Sequence, residues 1–101
     1  MTAAEFQTFA DAFFDSIRAI ICTKGHDYTA DLGDRLGNFK DAARALGLSP
    51  MQVWAVYFNK HVTAVLNFAA RGRVESEAVH DRFLDIATYA ILGAALAAEC
   101  A

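Results

Sequence analysis

Apolar residues recur along this chain at steps of three and four, the spacing of one helical face, and no run alternates with the period of two that marks a strand. Phe6, Phe9, Phe13, Ile17, Ile20 and Ile21 form the first such stripe. Thr2 and Glu5 have the spacing of a capping box, so a first helix is predicted over residues 3–23. From Lys24 to Gly37 the pattern gives way to KGHDYTADLGDRLG, whose glycines and alternating charges predict the longest irregular stretch in the chain. A short helix from Leu36 to Leu46 follows, with Asp34 as its cap and Gly47 as its stop. Ser49, Pro50 and Gln52 combine a capping serine, a proline suited to the first helical position and a glutamine that closes the box. That third helix should run to Arg71 and end at Gly72. A fourth should start at Glu75 or Ser76 and carry Val79, Phe83, Ile86, Ala87, Ala90, Ile91 and Ala94 on one stripe. The prediction is therefore an all-α, four-helix bundle-like single domain spanning residues 1–101. The small side chains at Gly93, Ala94 and Ala97 would let another helix approach closely.

Composition adds one expectation to this picture. Hydrophobic residues make up 55% of 101 residues, and so small a domain has little interior for them. A homo-oligomer is expected to cover the surplus. A formal charge of -3 and a pI near 5.4 give no basic footprint for general duplex nucleic-acid binding. Cys22 and Cys100 lack metal or redox spacing and are expected as reduced thiols in a cytoplasmic protein. No targeting peptide is evident, and the longest apolar run, Tyr89 to Ala98, is about half of the ~20 residues of a membrane span, so no membrane partner is expected.

Three features could carry chemistry. Glu77, Asp81 and Asp85 fall at four-residue steps on the fourth helix, either as a solvated face or as a metal-binding row whose natural occupant would be magnesium. Lys60 and His61 lie in VWAVYFNKHVTAVLNF, where a lysine among apolar neighbours is expected to pair with Asp85 or Asp81. His61 reads more simply as a core histidine. Tyr28, in the stretch expected to be irregular, either stacks on a nucleobase while Lys24, Arg35 or Lys40 meets a phosphate, or packs down on the bundle. Trp54 is a second aromatic weighed for the base, although aromatics at helical spacing usually fill a core. Nothing in the spacing suggests a nucleophilic triad or a phosphate-cradling glycine loop.

Taken in order, KGHDY at 24–28, NF at 38–39, GLSPMQVW at 47–54, KH at 60–61, SE at 76–77 and D-x-x-x-D-x-x-x-Y at 81–89 resemble the nucleotide modification associated domain 1 family, common in phages. The resemblance spans Lys24 to Tyr89. It implies a nucleotide-linked role in the cytoplasm, the host's if the chain is phage-encoded. It also singles out Lys24, Asp27, Tyr28, Asn38, Lys60, Glu77, Asp81, Asp85 and Tyr89. Where the family pattern has asparagine just before the last tyrosine, this chain has Thr88. A looser similarity is to MazG-like all-α pyrophosphatases, which hold magnesium between acidic residues on facing helices. Here the carboxylates sit on one helix and the paired acidic motif is missing from the first and third.

The expected function is a nucleotide-binding module with ligand contacts drawn from Lys24, Asp27, Tyr28, Arg35, Asn38, Lys40, Lys60 and Tyr89. Two alternatives remain open at the level of sequence. One is a magnesium-dependent nucleotide hydrolase or pyrophosphatase using Glu77, Asp81 and Asp85. The other is a non-catalytic protein that sequesters a nucleotide signal of host defence.

Overall fold

The computed structural model describes residues 1–29, 33–72 and 78–100, and the side chains of 24–29 lie outside that description. Four helices follow one another: α1 (Ala3–Thr29), α2 (Gly37–Leu46), α3 (Pro50–Arg71) and α4 (Val79–Cys100). Among the described residues there is no strand.

The helix boundaries follow the capping chemistry closely in the second half. Ser49 Oγ accepts the Gln52 backbone N–H at 3.1 Å, and Gln52 Oε1 accepts the Ser49 N–H at 2.8 Å, which closes the box that opens α3. Gly47 and Gly72 end α2 and α3 with φ of 69° and 75°, left-handed values that a side chain would strain. At the start of α1, Thr2 Oγ1 accepts the Glu5 N–H at 3.1 Å. Asp34 accepts the Leu36 N–H at 2.9 Å, a turn just ahead of α2 and not a cap within it.

One boundary differs from expectation. α1 does not stop at residue 23 but runs on to Thr29, so the backbone of Lys24, Asp27 and Tyr28 is helical and not part of an irregular loop. A lone glycine, Gly25, costs a helix only about 1 kcal/mol relative to alanine, which an already propagating helix absorbs. The irregular connection is correspondingly shorter. α4 begins at Val79, and Glu75, Ser76 and Glu77 fall outside the described residues.

Helix α4 occupies the middle. α3 packs along it, α2 packs on α3, and α1 packs on α4. The core lies among α2, α3 and α4, where Leu36, Phe39, Ala43, Val53 and Leu96 are buried and Trp54, Tyr89 and Leu92 close over them. By length and composition alone α4 could cross a membrane, with a mean hydropathy of 1.5 over its most apolar window. A core helix pressed between two others needs the same composition.

The closest approach in the fold is between Trp54 and Gly93. A Cβ at residue 93 would sit 2.5 Å from two indole carbons, so only glycine admits the ring. A side chain there would also lie over the preceding turn and shield the Tyr89 carbonyl. With that carbonyl bare, Trp54 Nε1 donates to it at 2.7 Å. The small-residue surface of α4 thus receives a ring from α3. The same contact corrects the reading of Trp54 as a base-contacting residue, because its indole is stacked on Phe58 at 4.8 Å and its only donor is engaged.

Candidate functional site

A cleft of about 240 Å³ opens where the entrance of α2 meets α3 and α4. Its walls are Arg35, Asn38, Phe39, Tyr57, Asp85 and Tyr89, with Thr88 and Leu92 completing the α4 side. The α4 contribution follows from spacing: 85, 88, 89 and 92 are three and four residues apart and share one side of the helix. Arg35 and Asn38 come from the first turn of α2 and the residues leading into it, which the Asp34 turn holds in place.

Three aromatic rings form the apolar part of the cleft. Tyr57 and Tyr89 stack with centroids 6.3 Å apart, and Phe39 meets both edge-on at 6.4 Å. His61 lies under Tyr89 at 4.9 Å. The polar part holds a cation, Arg35, whose Nε is buried with no hydrogen-bond partner among the described residues. It also holds a carboxylate, Asp85, with Oδ2 3.5 Å from His61 Nδ1. That contact is ionic when the imidazole is protonated. Thr88, in place of the family's asparagine, donates its hydroxyl to the Leu84 carbonyl at 2.9 Å and so directs it into its own helix.

Four residues singled out from sequence, Arg35, Asn38, Asp85 and Tyr89, therefore converge on one cleft. Others do not. Lys60 is exposed and pairs with no carboxylate among the described residues; the expected partnership with Asp85 or Asp81 belongs to its neighbour His61. Successive residues point about 100° apart on a helix, so only one of the two can face α4, and the group cheaper to desolvate takes that place. Lys40 is tied to Asp34 at 2.5 Å and to Glu99 at 2.8 Å, joining α2 to the end of α4. The Asp34 and Glu99 carboxylates push the Lys40 ammonium up to about 12, and hydrogen bonds from Lys40 and the Leu36 N–H hold Asp34 below the usual carboxylate range. A lysine so engaged is not available to a phosphate in the cleft.

The acidic row does not act as one. Asp81 is exposed in the first turn of α4, where the helix dipole favours a carboxylate, and Asp85 turns into the cleft. Glu77, like the side chains of Lys24, Asp27 and Tyr28, lies outside the described residues. Arg82, which in sequence looks like a surface neighbour of that row, is buried. No group of three or more His, Cys, Asp or Glu among the described residues could hold a metal ion. Sequence reasoning assigned Phe39 and Tyr57 to the core alone. The signal for Tyr57 was its place one turn from His61 on the face that meets Asp85 and Tyr89.

Comparison with known protein families, curated proteins and solved structures finds no match.

Proposed function

We propose that the cleft among α2, α3 and α4 binds a nucleotide or nucleotide-derived small molecule, with a planar ring against Tyr57, Tyr89 and Phe39 and a phosphate oxygen at Arg35. The observation that carries this reading is Arg35: a guanidinium whose buried Nε is unsatisfied among the described residues, at the edge of an aromatic cleft. A donor left without a partner costs about 1–3 kcal/mol, which an anionic ligand would recover through a charge-assisted bond. Asp85 and Asn38 supply the acceptor and amide that distinguish one base or sugar from another. The volume falls just under the ~300 Å³ lower end for drug-sized ligands, which suits a nucleobase or nucleoside with phosphates reaching solvent.

The ordered resemblance from Lys24 to Tyr89 points to the same ligand class and to a phage-type, host-cytoplasmic setting. Binding without turnover is favoured over hydrolysis, because Asp81 and Asp85 diverge and Asp85 is engaged with His61. A protein that sequesters a nucleotide signal is one form of this reading.

Calorimetry against nucleoside mono-, di- and triphosphates, with mass spectrometry of the same samples, tests it. At least one nucleotide should bind and be recovered unchanged with or without magnesium. Arg35→Met should weaken that binding by about ten- to hundredfold, the equivalent of ~1.5–3 kcal/mol, while leaving helicity intact. Metal-dependent turnover, or an Arg35→Met affinity equal to wild type, would refute it.

A further inference from the structure

On α4, His80 and Phe83 face away from the cleft-lining positions, and α1 lies across them. Phe9 and Phe13 of α1 each meet the His80 ring edge-on, at 6.2 and 5.6 Å. The two helices do not close on each other. Between them runs an apolar groove of about 410 Å³, walled by Phe6, Phe9, Phe13, Phe14, His80 and Phe83. Four of those rings are open to solvent: Phe6 is 61% exposed, Phe14 55%, Phe9 49% and Phe83 45%.

We propose that this groove is an interface between two copies of this chain, the α1 helices pairing antiparallel across a two-fold axis. The first support is surface area. A folded monomer of 11.0 kDa should expose about 5,600 Å², whereas this chain exposes 6947 Å². The excess, roughly 1,300 Å², exceeds the ~800 Å² that each partner of a stable complex usually buries. The radius of gyration agrees, 15.5 Å against about 13 Å for a compact domain of this length.

The second support is charge, which selects a second copy over a foreign helix and fixes the direction. Asp11 and Arg18 lie seven residues apart, two turns along the same edge of the apolar stripe. In an antiparallel pair each edge meets its own equivalent. A two-fold centred between residues 14 and 15 sets Asp11 opposite Arg18 of the second copy, and Arg18 opposite its Asp11. A parallel pair would instead align like charges. Phe14 lies next to the axis, where its ring meets the second copy's α1, and each α4 backs its own α1. The interface is then a four-helix layer, isologous as a two-fold requires. It lies across α4 from the cleft, so assembly and ligand binding are separable.

Sedimentation velocity of the full chain at tens of micromolar tests the proposal. Wild type should sediment at twice 11.0 kDa. Phe14→Glu, at an exposed position outside the core, should weaken the dimer by about tenfold or more, since it places a charge at the centre of the contact. Asp11→Arg and Arg18→Asp should each weaken it less, and the double exchange should restore it. Wild type at 11.0 kDa overturns the proposal, whether or not that monomer takes up micelles or a foreign amphipathic helix. A dimer unchanged by Phe14→Glu overturns the surface, and one that the double exchange does not rescue overturns the antiparallel register. Circular dichroism of each variant separates these outcomes from unfolding.

Discussion

The body formed by α2, α3 and α4 and the long helix α1 are written with the same three-and-four spacing of apolar residues, yet they end in different environments. The body buries Leu36, Phe39, Ala43, Val53, Leu84 and Leu96, and both of its internal chain reversals are closed by left-handed glycines. α1 buries Ile17 among its described side chains and leaves three of its phenylalanines substantially exposed. Periodicity thus specifies which face of a helix is apolar but not what covers it. In the body the cover is intramolecular and fixed by particular fits, such as Trp54 over Gly93. On α1 the stripe is wider than α4 can cover.

This contrast can be broken most directly at Gly93. Gly93→Ala forces the indole of Trp54 aside and removes its bond to the Tyr89 carbonyl, so urea unfolding should show a loss of about 2–4 kcal/mol, the sum of overpacking and a lost hydrogen bond. An unchanged midpoint would mean that the body is packed no more tightly than α1. Ser49→Ala removes the cap of α3 and should cost about 1 kcal/mol, with Ser49→Gly costing less. Phe14→Ser on α1 should change the unfolding free energy of dilute protein by less than ~0.5 kcal/mol, because that ring touches little within its own chain. A larger loss under dilute conditions would place Phe14 in the core after all.

The smallest effect concerns the tie between α2 and α4. Asp34 is held below its ordinary 3.8, so its contribution is present above that value and fades as pH falls through the lowered native one. Lys40 is raised from 10.5 to about 12, so its contribution is complete below 10.5 and is lost as pH rises through about 12. The difference in Tm between wild type and Lys40→Met should accordingly be small and flat near neutrality, and should shrink at both extremes. Both groups are solvated, and screening keeps the effect modest. A difference that grows in acid would contradict this assignment.

Sequence made the second half of the fold legible because its boundaries rest on local chemistry. Ser49 with Gln52, and the glycines at 47 and 72, each act within one turn. The first half was less legible because Gly25 and the charges around it are merely compatible with a loop, and a helix tolerates them at small cost. In the cleft, Arg35, Asn38, Asp85 and Tyr89 could be chosen in advance by residue chemistry together with an ordered resemblance. The choice between Lys60 and His61 could not, since apolar neighbours in sequence lie on every side of a helix and say nothing about which residue faces α4. The Trp54 contact was half visible: small residues on α4 announced a close approach without naming its partner.

The chain has one tryptophan, Trp54, and its indole is bonded to the backbone carbonyl of Tyr89, whose ring walls the cleft. Any ligand that presses on Tyr89 also alters the field around that indole. The protein therefore carries its own optical reporter: the emission of unlabelled material should respond to occupancy of the cleft and stay indifferent to events on the far side of α4. Titrations could then be followed without attaching a dye to a domain this small.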